Sequence, residues 1–160
     1  MLLRWDMSRI ESHLAAENIV LPAPAAPVAA YVPTVLAGNL LHISGQLPFA
    51  ADGALMTGKV GGERDLAWGQ AAAERCALML VAQIKAALGD LDRVERIVKL
   101  GAFVSSPADF TDQPKVANGA SEMMVRIFGE AGRHARSAVS VPVLPLDASV
   151  EIDAVVLVRP

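Results

Sequence analysis

The stretch Ser149 to Val158, close to the chain's end, constrains the fold more than any other. Val150, Ile152, Ala154, Val156 and Val158 occupy every second position, so a strand here carries one wholly apolar face. The positions between them hold Glu151, Asp153, Val155 and Leu157, which makes the second face acidic at one end and apolar at the other. A sheet built around this strand needs a full cover on its first face and at least a partial cover on its second.

Two helical segments can supply the first cover. Over Asp65 to Leu88, the residues Leu66, Ala73, Ala77, Leu80, Ile84 and Leu88 form one apolar stripe, and Gly89 follows as a stop. Ala73 and Ala77 are small enough to let that helix lie close on a sheet. Over Lys115 to Phe128, Val116, Met123 and Ile127 share a face, with Asp112 near the start and Gly129 and Gly132 at the end. The remaining patterned segments are strands. Tyr31 to Ala37 and Leu40 to Gly45 form a hairpin over Gly38-Asn39, and Ile97 to Val104 and Ala135 to Val141 follow. Pro48 to Gly62 and Pro107 to Pro114 read as connections, and Pro142 and Pro145 separate the last two strands. The order β-β-α-β-α-β-β implies an α+β domain, a mixed sheet with both helices on one face. Ahead of it, Ser8 to Glu17 reads as a short helix with a Ser8/Glu11 capping box, and Pro22, Pro24 and Pro27 mark an extended lead-in. The expected division is a 1–27 N-terminal extension and a single 28–160 domain.

Composition bears on the second cover. The 160 residues are 53% hydrophobic but only 4% aromatic, with 28 Ala and 18 Val, and 19% are charged. A monomer so poor in charge is short of polar surface, so a homo-oligomer is expected to bury the second sheet face. Fourteen Lys and Arg against 17 Asp and Glu give a net charge of −3, without the clustered positive charge of a nucleic-acid or membrane-surface binder. Neither partner is expected. The lone Cys76 forms no internal disulfide, and among Ala, Leu and Met it reads as a small buried hydrophobe rather than a nucleophile. His13, His42 and His134 share no metal-ligand spacing, so no metal is expected. The chain has no phosphate-binding glycine loop and no GxSxG. Met1 to Asp6 is too short and too charged for the apolar core of a signal peptide, and Met7 is an alternative start. No apolar run approaches the roughly 18 residues of a membrane span. A soluble cytoplasmic protein is the expectation.

Several side chains stand out chemically. Glu151 lies between Val150 and Ile152, either as an edge-strand charge facing solvent or as a general acid/base. Arg136, between Ala135 and Ser137, offers a planar fork for a carboxylate, or else an ordinary salt bridge with Glu151 itself. Ser44-Gly45 offers a hydroxyl and backbone amides. Tyr31, the single tyrosine, suits packing or a site near a strand start. His134 titrates near neutrality or simply occupies a surface turn.

Taken together these fragments are specific. Tyr31-Val32 followed by Gly38-Asn39-Leu40-Leu41-His42-Ile43-Ser44-Gly45-Gln46-Leu47-Pro48 resembles the N-terminal hairpin of the YjgF/RidA family, also labelled endoribonuclease L-PSP. Arg136-Ser137-Ala138-Val139, Leu144-Pro145 and Val150-Glu151-Ile152 resemble that family's C-terminal signature. The resemblance spans about residues 28–158 and implies a chorismate-mutase-like fold assembled as a homotrimer with clefts between subunits. It implies hydrolysis of reactive 2-imino and enamine acids to a 2-oxo acid and ammonia. It assigns Arg136 to the substrate carboxylate and Glu151 to the attacking water. Tyr31, Ser44, Gly45, Asn118 and Ala138 fall to substrate binding. Many members carry Cys where this chain has Ala138, so that position can act here only through its backbone. The N-terminal helix and the 48–64 loop mark a divergent branch.

The chemistry needs no metal or cofactor. A fixed guanidinium orients the carboxylate beside the electrophilic C=N carbon, and a carboxylate base orients water. The competing expectation is a non-catalytic binder of small carboxylic metabolites in the same cleft. Ribonuclease activity is weaker on charge grounds.

Overall fold

The computed structural model describes residues 8–27 and 29–160; the readings made on Met1–Asp6 and Met7 lie outside the described residues. The elements are α1 (Arg9–Ala16), β1 (Thr34–Ala37), β2 (Leu40–Gln46), α2 (Leu66–Leu88), β3 (Val94–Ser105), α3 (Gln113–Phe128), β4 (Ala135–Val141) and β5 (Val150–Val158). The strands form one sheet in the order β1-β2-β5-β3-β4. β3 and β4 are parallel and every other pair is antiparallel, so the sheet is mixed as the element order implied. Helix α3 makes the crossover between β3 and its parallel neighbour β4. Helix α2 connects β2 to β3, and β5 later inserts between those two strands.

The strand with the informative alternation is thus the central one. Val150, Ile152, Ala154, Val156 and Val158 are all buried, and they meet the α2 residues Ala73, Cys76, Ala77, Leu80 and Ile84 in one core. Each fully buried Val, Leu or Ile side chain contributes roughly 1.5–3 kcal/mol by leaving water. α2 starts on Asp65, whose carboxylate accepts from the Trp68 amide at 2.8 Å, and ends on Gly89 at φ 79°. α3 starts with Pro114 in its first turn, where no intrahelical amide bond is lost. The two helices approach closely at Gly119, where a Cβ would overlap the Gln70 carbonyl.

α1 forms with Ser8 as its cap, the Ser8 side chain accepting from the Glu11 amide at 3.1 Å. It is anchored to the domain. Ile10 and Leu14 join the common core, and the Arg9 and Ile10 amides donate to the Asp92 carboxylate at 2.8 and 2.9 Å. No described helix is long and apolar enough to cross a membrane.

The hairpin strand β1 begins at Thr34, three residues after Tyr31. Pro33 has no amide hydrogen to give a ladder, although its carbonyl accepts from the Ser44 amide at 2.9 Å. Tyr31 therefore occupies a bend rather than a strand. β3 is longer than the Ile97 to Val104 core of its pattern, because Val94 and Arg96 pair with β5 across two register irregularities. The 48–64 segment is tied down by isolated bridges, Phe49 with Leu55 and Thr57 with Ala148, and Val60 within it is fully buried.

Candidate functional site

Arg136 lies in the second position of β4, in register with Leu100 of β3, and so points to the helix side of the sheet. α3 receives it. Nη1 donates to Asn118 Oδ1 at 2.9 Å and to Ser121 Oγ at 3.0 Å, and Nη2 donates to the Pro114 carbonyl at 3.2 Å. Pro114, Asn118 and Ser121 follow one another at steps of four and three residues on α3, which is why a single α3 face can hold one guanidinium. A guanidinium has five N–H donors, and three are used here among the described residues. The two that remain sit on adjacent nitrogens, Nε and Nη2, an arrangement that matches a carboxylate. Ala138 is in register with Ala102 and lies on the same side of the sheet as Arg136.

Glu151 belongs to the opposite side. It is in register with Phe103, between the core residues Val150 and Ile152. Because β5 is the central strand, Glu151 is no edge-strand charge; it is half-buried in the middle of the sheet. Burial, then the neighbouring Asp153 charge, pushes its carboxyl above the ordinary glutamate range. Burial likewise raises Asp153, against the lowering effects of the Gly101 amide and Lys99. The salt bridge between Arg136 and Glu151 that the sequence left open does not form, since the sheet separates them.

The β2 end of the site is built around a bulge. Ile43 pairs with Ala154 and Gln46 with Ile152, so Ser44 and Gly45 face Asp153 alone across the ladder. Gly45 lies against Glu151, where a Cβ would sit 2.9 Å from Glu151 Cδ and 3.0 Å from Oε2. The Ser44 hydroxyl donates to the Val32 carbonyl at 2.8 Å and so ties the bulge to the segment after Tyr31. Tyr31, 49% exposed, and Gly45 both line a small cavity of about 110 Å³ with Pro33, Gln46 and Leu146. The bulge is braced from behind. Gln46 Nε2 donates to the Ser44 carbonyl at 3.0 Å, and buried Gln83 donates to Gln46 Oε1 at 3.3 Å.

One chain therefore brings the expected residues together in two groups: Tyr31, Ser44, Gly45 and Glu151 in one, Arg136 and Asn118 in the other. A larger cavity, about 690 Å³, lies between the lead-in and the α2–α3 surface and is lined by none of them. The sequence reading of His134 as a surface turn residue is corrected by its surroundings. It is about half-buried beside Arg136, and its ring nitrogens meet Ser121 Oγ at 2.8 Å and the Gly132 carbonyl at 2.7 Å. Ser121 escaped the sequence reading altogether; its three-residue spacing from Asn118 on a helix was the available signal. Cys76 is fully buried, donates weakly to the Val150 carbonyl at 3.6 Å, and is kept a thiol by burial and the Glu151 charge.

A central acidic strand, a bulged Ser-Gly-Gln hairpin and a helix-held arginine on the far side of the sheet define a small α+β protein of one class. The chain belongs to the YjgF/RidA family: the family model described as "YjgF/chorismate_mutase-like, putative endoribonuclease" matches residues 11–156. Protein TCP17 of Trypanosoma cruzi is 53% identical over 149 residues, covering 92% of this chain and 93% of that one. The crystal structure of Atu1372 from Agrobacterium tumefaciens is 47% identical, with a TM-score of 0.86 over 94% of this chain and 92% of the other. A structure from Shewanella oneidensis MR-1, given the same endoribonuclease description, is 34% identical with a TM-score of 0.89 over 93% and 99%. Escherichia coli TdcF, solved with bound serine, is 25% identical with a TM-score of 0.61 over 86% and 94%.

Proposed function

We propose that the protein is a hydrolytic deaminase of 2-imino and enamine acids, acting in clefts between the subunits of a homotrimer. The observation that carries this reading is the state of Arg136. Three donors are anchored on α3, and two on adjacent nitrogens are left for a carboxylate. That TdcF was solved with bound serine, itself a small carboxylate, supports the same ligand class.

Arg136 grips the substrate carboxylate and presents the neighbouring C=N carbon in a fixed orientation. Glu151, with its raised proton affinity, orients a water and takes one of its protons as the oxygen adds to that carbon. The tetrahedral carbinolamine then collapses. Glu151 returns its proton to nitrogen, the C–N bond breaks as the hydroxyl oxygen forms the new C=O bond, and the hydroxyl proton goes to the departing ammonia, leaving a 2-oxo acid and ammonium. An enamine enters the same sequence after protonation at its terminal carbon. Tyr31, Ser44 and Gly45 shape the wall beside Glu151, Asn118 holds Arg136, and the small Ala138 leaves backbone alone at its position.

The placement of the two groups on opposite sides of one sheet favours a cleft in which one subunit offers Arg136 and its neighbour offers Glu151. The test is hydrolysis of a freshly generated 2-imino acid, followed as 2-oxo acid formed, for wild type and Arg136→Ala. Wild type is expected to exceed the uncatalysed rate and the variant to lose most of that excess. Saturable binding of 2-oxo acids with no turnover would instead establish a binder.

A further inference from the structure

Arg136 is held by more than Asn118, and the additional partners form a directed chain. The Gly132 carbonyl can only accept, so the 2.7 Å contact places a hydrogen on His134 Nδ1. In neutral imidazole that leaves Nε2 as an acceptor, and the 2.8 Å contact then takes the Ser121 hydroxyl hydrogen. With its hydrogen committed to His134, Ser121 Oγ turns its lone pairs outward, and one of them receives Arg136 Nη1 at 3.0 Å. Each group has one role that satisfies all its contacts. The Gly132 carbonyl fixes the histidine tautomer, the tautomer fixes the serine rotor, and the serine fixes one corner of the guanidinium.

We propose that Ser121 and His134 are positioning residues that hold Arg136 with its free donors aimed at the substrate carboxylate. The inference rests on the reading of Arg136 as the carboxylate anchor. It extends that reading to two side chains that would touch no substrate. Without the chain, Nη1 keeps Asn118 and Nη2 keeps Pro114, so Arg136 would remain bonded while losing one of its two Nη1 restraints. Ligand binding would then have to order a looser guanidinium, and affinity would fall with little change in the chemical step.

Pyruvate serves as the probe, titrated by calorimetry, with imine hydrolysis assayed in parallel. Ser121→Ala suits the test because alanine is a stronger helix former than serine, so α3 should survive it. His134→Phe removes the acceptor, while His134→Gln offers an amide oxygen in its place. Ser121→Ala and His134→Phe are expected to weaken pyruvate binding roughly ten-fold, the effect of one lost hydrogen bond to a charged group. Both should raise KM by a similar factor and leave kcat nearly unchanged. His134→Gln is expected to recover most of the affinity. If Arg136→Ala abolishes binding while Ser121→Ala and His134→Phe bind as wild type does, the positioning role is wrong and the anchor stands. A fall in kcat without a rise in KM would also overturn it. If wild type itself binds no pyruvate, or Arg136→Ala binds it equally well, the anchor reading fails and this inference fails with it.

Discussion

Arg136 and Glu151 project from opposite sides of a single sheet, with β3 lying between their strands. A site using both must draw them from different chains. Arg136→Ala and Glu151→Gln are each expected to be inactive alone. Refolded together at equal amounts, they are expected to regain about a quarter of wild-type activity, since one cleft in four would pair an intact arginine with an intact glutamate under random assembly. Activity that stays at zero in tagged, purified hetero-oligomers would place both residues in the same chain's chemistry.

Gly45 is the next testable contact. A Cβ there would press on the far end of the Glu151 side chain, 2.9 Å from Cδ, rather than on backbone. The flexible carboxylate can move aside, so Gly45→Ala should cost the fold no more than about 1 kcal/mol. The displaced carboxylate would misplace the attacking water, and a loss of at least about ten-fold in kcat is expected. Thermal denaturation together with steady-state kinetics checks this, and equal losses in both would refute it.

Glu151 also has a pH signature. Its carboxyl is raised above the ordinary range by burial and by Asp153, so the folded chain holds that proton more tightly than the unfolded chain does. Stability contributed by the group is therefore lost as pH rises through its folded pKa. Glu151→Gln should melt higher than wild type at pH 8, and the gap should close toward pH 4. Hydrolysis by wild type, which needs the ionised base, should decline on acidification with an inflection above the usual glutamate value. A variant that melts lower than wild type at pH 8 would contradict the desolvation account.

The fold was legible because its strongest signals are local and periodic. The apolar face of Val150–Val158, the stripe ending at Leu88 and the Gly38-Asn39 turn each follow from spacing alone. Strand order is not local, so Glu151 read equally well as an edge charge until β5 proved to be the central strand. The same limit hid the Arg136–Ser121–His134 chain, whose members lie on a strand, a helix and the residue just before that strand. The two-residue spacing of Arg136 and Ala138 puts them on one strand face, and which side of the sheet that face takes depends on the neighbouring strands.

The contact between α2 and α3 is the least forgiving place in the core. A Cβ at Gly119 would overlap the Gln70 carbonyl oxygen and backbone, which cannot swing away as a side chain does. Gly119→Ala should destabilise the protein by about 1–3 kcal/mol despite alanine's better helix propensity. Chemical denaturation read by circular dichroism measures it. A neutral or stabilised variant would show that the helices separate at little cost.

The side of the sheet opposite the helices carries the final prediction. Val35 at one edge is 52% exposed and Val139 at the other is 46% exposed, with Phe103, Val155 and Leu157 partly buried between them. Those residues share a side with Glu151, as the pairings Val35–His42, His42–Val155 and Phe103–Glu151 require. In a monomer such a surface stays wet at a cost of about 25 cal/mol per Å² of apolar area. A charge on it would cost little in the monomer and much in an assembly that buries it. Val139→Lys and Val35→Lys should therefore leave far-ultraviolet circular dichroism unchanged and shift light scattering from trimer to monomer. Imine hydrolysis should fall with the assembly, because the monomer would keep Arg136 and Glu151 on separate sides. Full activity in a variant that scatters as a monomer would sink the inter-subunit cleft.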